Sequence, residues 1–165
     1  MTASKIPGVR YLRVARHADA RGSFREVWRA STVSPGGSAR FVQANLSISE
    51  PGVLRGLHYH ERQLDYWVVG SGRAFVALVD VRPMISGSAK PAIVETRVLA
   101  ADDGVVIPAG VGHGFLALER LELLYLVTNE YDESDELGFA WDDPALAVPW
   151  PLAEVRPSGM PLVSD

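Results

Sequence analysis

The chain contains no cysteine. That excludes a disulfide scaffold, a thiolate metal site and a cysteine nucleophile, and it agrees with a cytoplasmic location. No run approaches the roughly 18 apolar residues of a membrane span. Met1 to Arg10 lacks the apolar core of a signal peptide, so neither membrane nor secretion is expected. Positive charge is not in excess. The 16 Lys and Arg against 20 Asp and Glu give a formal charge of -4, without the clustered basic surface that nucleic acid requires. Internal repeats, low-complexity tracts and a long capped amphipathic helix are also missing.

What is present is an ordinary globular composition. The 165 residues, 47% hydrophobic and 22% charged, are enough for one domain over 1–165 with a single core. The patterning is of short strands. Phe41 to Ser49 alternates, with Phe41, Gln43, Asn45 and Ser47 on one face and Val42, Ala44, Leu46 and Ile48 on the other. Tyr66 to Val69 and Arg73 to Val81 flank Gly70-Ser71-Gly72, which reads as a hairpin turn. Val94 to Ala100, Gly104 to Ile107, Phe115 to Leu118 and Leu123 to Thr128 read as further strands. Ser34-Pro35-Gly36-Gly37-Ser38 and Pro83 to Pro91 read as loops, and Asp142 to Leu146 as at most one helical turn. Many short strands with regular turn signals predict an all-β sandwich or jelly roll closed into a barrel, with a cavity open at one end.

Two histidine-bearing segments stand next to glycine turns: Arg55-Gly56-Leu57-His58-Tyr59-His60 and Pro108-Ala109-Gly110-Val111-Gly112-His113-Gly114-Phe115. Such segments place polar chemistry inside an apolar cup. Five further stretches accompany them in order: Asp19-Ala20-Arg21-Gly22-Ser23-Phe24-Arg25-Glu26, Phe41 to Ser47, Val79-Asp80-Val81-Arg82, Trp141-Asp142-Asp143-Pro144 and Trp150-Pro151. Together they resemble the dTDP-4-dehydrorhamnose 3,5-epimerase family of nucleotide-sugar epimerases over roughly residues 8 to 152.

The resemblance implies a cupin-type jelly-roll β-barrel with few short helices, a homodimer, and no cofactor. It implies proton removal and return at C3 and C5, beside the 4-ketone of a dTDP-4-keto-6-deoxyhexose. By resemblance His58 is the base and Tyr131 the acid on the opposite face. Arg21, Phe24, Glu26, Gln43, Asn45, Arg55 and His113 bind the nucleotide and sugar. The chemistry is consistent with those roles. An imidazole titrates near operating pH, a phenol keeps its proton until a basic enolate appears, and a guanidinium fork suits a diphosphate.

The chain departs from the family pattern in two places. Asp65 stands where the family has a lysine near the developing oxyanion, so a nearby cation, Arg62 or Arg73, has to compensate. The aspartate that orients the family's histidine has no clear counterpart, which leaves Asp165, Asp80 and Asp143 as partners for His58. A metal-dependent reading comes from the same residues. Gly52-x5-His58-x-His60-x4-Asp65-x6-Gly72 and Pro108-x-Gly110-x2-His113 match the spacing of cupin metal motifs, and a strand period of two puts His58 and His60 on one face. Three imidazoles and a carboxylate would hold Fe, Mn, Ni or Zn. A third reading is a homologue that binds sugar nucleotides without catalysis. Tyr131 lies in an acidic stretch, Glu130 to Glu136, which reads equally as a solvated loop.

Overall fold

In the computed structural model, which describes residues 3–34 and 39–163, the alternating segments become strands: β1 (Arg10–Arg13), β2 (Arg16–Asp19), β3 (Gly22–Arg25), β4 (Gln43–Ser49), β5 (Leu54–Tyr59), β6 (Asp65–Ser71), β7 (Arg73–Asp80), β8 (Ile93–Ala100), β9 (Asp103–Ile107), β10 (Val111–Ala117), β11 (Leu121–Val127) and β12 (Leu137–Gly138). The helices are single turns, α1 (Ala30–Val33), α2 (Arg82–Ile85) and α3 (Leu152–Val155), with a 3-10 turn at Glu133–Asp135. One sheet has the order β1-β9-β6-β11-β4 and the other β12-β5-β10-β7-β8, while β2 and β3 pair as a separate hairpin. All pairings between these strands are antiparallel. The architecture is the all-β jelly roll that the strand pattern predicts.

Inward-facing residues of both sheets, including Val69, Val76, Leu78, Val105, Phe115 and Leu123, form the core that closes one end of the barrel. The outer faces are also covered. Phe139, Leu146, Val148 and Trp150 lie over Leu57, Ala77 and Val79 of one sheet. Leu12, Val14, Val27, Val33 and Phe41 lie over Tyr66, Val68 and Val106 of the other. Strands buried on both faces need no alternation, which is why Tyr66 to Val69 reads as a continuous apolar run.

Three expectations are corrected. Gly70-Ser71-Gly72 does not close a hairpin, because β6 and β7 belong to different sheets. Gly72, at φ 79°, turns the chain from one sheet to the other, and a Cβ there would sit 2.3 Å from the Arg120 carbonyl oxygen. Local turn chemistry is the same in both cases, and partner choice is set by which faces must be buried. Residues 142–146 form turns without a helix: the Asp143 carboxylate accepts from the Ala145 amide at 2.8 Å, the local bond that competes with helix. Within the loop expected at Pro83 to Pro91, the first residues belong to the single turn α2. Pro35 to Ser38, in the other expected loop, lie outside the described residues.

The β2–β3 hairpin is tied to the barrel by one carboxylate. Asp102 accepts from Arg16 at 2.9 and 3.1 Å and from Arg25 at 2.8 Å. The Arg16 hydrogen bond is the chief reason, ahead of the Arg25 bond, that the Asp102 carboxyl is held down at about 2 against the opposing effect of burial. A depressed carboxylate contributes stability above its unfolded value near 4 and loses it as pH falls towards 2. Asp102→Asn is therefore expected to cost about 1–2 kcal/mol at pH 7. In urea unfolding, the gap between variant and parent should close between pH 4 and pH 2; a gap that persists at pH 2 contradicts this assignment.

Candidate active site

The open end of the barrel holds a cavity of about 830 Å³. Strand alternation supplies its walls. On β4 the burial alternates so that Gln43, Asn45 and Ser47 turn inward. Register then places Gln43 beside Val127, with Asp65 one strand further on, and Asn45 beside Tyr125, with Trp67 beyond it. On the facing sheet, β5 and β10 put His58 directly opposite His113. These two strands approach unusually closely around Gly56 and Gly114. A Cβ on Gly56, at φ 105°, would lie 2.6 Å from the His113 carbonyl oxygen, and one on Gly114 would lie 2.7 Å from that of Arg55. The glycines that flank the histidines in sequence thus set the register that brings the histidines together.

His58 reaches into the cavity with its side chain half exposed, and its Nδ1 lies 3.0 Å from Glu136 Oε1. Glu136 is the partner that the sequence did not identify. Of the expected carboxylates, Asp80 accepts from Arg82 at 2.7 Å and Asp143 caps a local turn, while Asp165 lies outside the described residues. Glu136 follows the 3-10 turn, and β12 then pairs Gly138 with His58. That pairing of a two-residue strand leaves no periodicity in the sequence. The only signal was the acidic stretch itself.

Tyr131 borders the same cavity as His58, and its backbone amide donates to Gln43 Oε1 at 3.0 Å. Gln43, Asn45, Arg55 and His113 line it too. Arg55 Nε donates to Ser49 Oγ at 3.1 Å, which directs the guanidinium along β4. Tyr125 faces the same space, and burial, reinforced by Asp65, pushes its phenol pKa up, so it remains neutral.

Arg21, Phe24 and Glu26 are not brought to this cavity within one chain. They sit on or just after the hairpin. Arg21 pairs locally with Asp19 and Glu26 with Arg29, and Phe24 is exposed. Of the two cations expected to compensate for Asp65, Arg62 stands on the cavity wall, paired with Asp132 at 2.7 Å. Arg73 does not reach it, being paired with Glu119.

Deeper in the cavity, His60, Asp65 and His113 cluster with one ligand atom each within 4.8 Å of the others, all three buried. Burial pushes the His113 pKa down, with His60 and His58 acting the same way and Asp65 opposing them. Trp67 stands edge-on to His113 at 5.2 Å and donates its indole N–H to Asp65 at 3.2 Å. His58 is not a member of this cluster.

A jelly roll whose open end sets an imidazole–carboxylate pair and a phenol on one cavity, and lines the rest with amides and two arginines, defines a class: small-molecule enzymes with acid–base machinery in a cupin-type cup. The family model described as dTDP-4-dehydrorhamnose 3,5-epimerase matches residues 3–165. The dTDP-4-dehydrorhamnose 3,5-epimerase of Mycobacterium tuberculosis is 34% identical over 169 residues, covering 97% of this chain and 80% of that protein. The dTDP-4-dehydrorhamnose 3-epimerase of Streptomyces niveus is 34% identical, covering 96% and 76% respectively. The crystal structure of the Legionella pneumophila dTDP-6-deoxy-D-glucose-3,5-epimerase in complex with dTDP-4-keto-L-rhamnose superposes with a TM-score of 0.83 at 30% identity, covering 98% of this chain and 85% of that one. The chain belongs to the dTDP-4-dehydrorhamnose 3,5-epimerase family.

Proposed function

We propose that this protein epimerises a dTDP-4-keto-6-deoxyhexose at carbons adjacent to the ketone, with His58 as base and Tyr131 as acid. The observation that carries the reading is that His58, held 3.0 Å from Glu136, and Tyr131 border one cavity. A carbon-bound proton next to a carbonyl becomes removable once the enolate is stabilised. Inversion then requires the proton to leave from one face and return on the other. The Glu136 carboxylate, 3.0 Å from Nδ1, fixes the orientation of the His58 ring. Gln43, Asn45 and Arg55 offer the donors and the charge that a sugar diphosphate requires. The absence of cysteine agrees with a cytoplasmic enzyme. Among the described residues, no helix is long and apolar enough to cross a membrane.

The test is solvent exchange. In D₂O, a dTDP-4-keto-6-deoxyhexose followed by NMR should take up deuterium at C3, at C5 or at both, and the position labels the carbon that inverts. Binding of dTDP without any exchange at either carbon would leave only a sugar-nucleotide-binding homologue.

The working unit in this reading is a homodimer. Arg21, Phe24 and Glu26 would then serve the cavity of a second copy, because the hairpin carries them away from their own. The free outer face of β4 supports pairing: Val42, Leu46 and Ile48 are all exposed, Leu46 by 63%, along an edge strand. Exposed apolar edges of this kind mark association sites. Leu46→Asp is expected to give a folded monomer by sedimentation. Its affinity for dTDP should fall about 10- to 100-fold, the loss of one or two charge-assisted hydrogen bonds. A variant that still sediments as a dimer would exclude this face as the interface.

A further inference from the structure

His60, Asp65 and His113 have no part in the proton transfers assigned to His58 and Tyr131, yet their geometry is specific. The outer atom of each is already engaged. His60 Nδ1 meets the Asp135 carbonyl at 2.8 Å, His113 Nδ1 meets the Val111 carbonyl at 3.0 Å, and Asp65 Oδ1 accepts from the Gln63 amide at 2.8 Å. A carbonyl can only accept, so each Nδ1 is the donor, and each Nε2 is left as the ring nitrogen that can bind a metal. One ligand atom each of His60, Asp65 and His113 lies within 4.8 Å of the others. His113 Nε2 lies 3.8 Å from Asp65 Oδ2, beyond hydrogen-bond reach, and among the described residues that oxygen accepts only from the Trp67 indole N–H, at 3.2 Å. Asp65 is moreover a buried carboxylate. Among the described residues, the one ionisable cationic group within ion-pair distance of it is His113, at 3.8 Å. Buried acceptor groups facing one another across a gap leave room for a cation.

We propose that His60 Nε2, His113 Nε2 and Asp65 Oδ2 bind one divalent first-row transition ion at the floor of the cavity. Two imidazoles and a carboxylate select zinc, cobalt, nickel, iron or manganese over calcium and magnesium, which take oxygen. The bonds from Nδ1 to backbone carbonyls are the supports that fix metal-binding rings. Ligands 2.0–2.2 Å from one ion stand about 3.4 Å apart at a tetrahedral angle, so the 3.8 Å between His113 and Asp65 need close by only a few tenths of an ångström, and no pair within the 4.8 Å cluster by more than about 1.4 Å. His58 stays outside the set with Glu136, so the four-ligand reading of the sequence reduces to three protein ligands, with open positions towards the cavity. A bound ion supplies positive charge on a wall that Asp65 otherwise makes negative. This site goes beyond the epimerase reading and does not require it.

The test uses the full chain without a tag, stripped by chelator and titrated with Co²⁺. One ion per chain is expected by elemental analysis. A d–d absorption of a low-coordinate site should appear, and the fluorescence of Trp67, whose indole touches Asp65, should be quenched with the same stoichiometry. Asp65→Asn and His60→Gln should each weaken Co²⁺ binding at least ~100-fold, more than the 10- to 100-fold typical of losing a supporting group, with unchanged far-UV circular dichroism. A parent chain that shows neither absorption nor quenching at millimolar Co²⁺ overturns the proposal, as do folded variants that bind as tightly as the parent. Deuterium exchange measured on the same samples separates the two readings. Metal bound without exchange keeps the site and removes the epimerase, and exchange by a chain that binds no metal does the reverse.

Discussion

Asparagine in place of His58 is expected to lower kcat for epimerisation about 10³-fold, and to abolish deuterium uptake at the ketone-adjacent carbons by the same factor. Positioned general bases contribute typically 10²–10⁴-fold, so this loss corresponds to about 4 kcal/mol of barrier. The amide keeps the polar shape of the ring but has no basic nitrogen. The side chain is half exposed and its strand is held by backbone pairing to β10 and β12, so stability should change little. dTDP binding, which relies on other walls of the cavity, should survive, and that separates loss of chemistry from loss of fold. Glu136→Gln removes the charge behind the base while keeping its size. It should show a smaller loss, in kcat rather than KM, because the carboxylate acts only through His58. A His58→Asn variant that still exchanges deuterium at the parent rate would require another base and would remove the main functional assignment.

Phenylalanine in place of Tyr131 should produce the complementary defect. If His58 removes the proton from one face and Tyr131 returns one to the other, the variant still forms the enolate. It then reprotonates from the side of the base. Exchange with solvent should persist within about tenfold of the parent, while net inversion falls by 10²–10³-fold, the range of a missing positioned acid. The measurement is deuterium incorporation and product configuration in one NMR time course. Equal loss of exchange and inversion would mean that Tyr131 is needed for proton removal as well, and the two-face scheme would fail. The side chain is 69% exposed, so the hydroxyl can be deleted with little cost to packing. Its segment stays anchored by the backbone bond to Gln43.

Two further variants bear on the proposed dimer. The cavity of one chain supplies His58, Tyr131, Gln43, Asn45 and Arg55. Arg21, Phe24 and Glu26 lie on the hairpin that Asp102 ties down. A mixed dimer of Leu46→Asp and parent chains would not form, so activity should fall with association rather than with the chemistry at His58. Asp102→Asn should loosen the hairpin and raise KM without changing the exchange rate at saturation.

Much of the site was legible because strand chemistry is local. Alternation at Phe41 to Ser47 separated the amide face from the apolar face, and the period of two placed His58 and His60 on one side. The glycines beside both histidine segments marked the close backbone approach that the β5–β10 pairing requires. The motif order of the family singled out His58 and Tyr131, which border one cavity. What stayed hidden depends on contacts distant in sequence. Glu136 looked like one of several acids in a solvated stretch, and only the pairing of β12 with β5 turned it onto His58. The Gly70-Ser71-Gly72 turn carried a valid hairpin signal, yet its flanking strands had to be buried in different sheets.

By itself the sequence determined the strand-rich cup and the inventory of imidazole, phenol, amide and guanidinium groups, because periodicity and side-chain chemistry are properties of short segments. The tertiary structure decided which of those groups meet. It paired His58 with Glu136, gathered His60, Asp65 and His113 into a separate buried cluster, and turned the apolar face of β4 outward while its amides faced the cavity. These outcomes follow from sheet register and from which faces the core and the tail cover. Both are set by the sum of long-range burial, and no local stretch of residues encodes them.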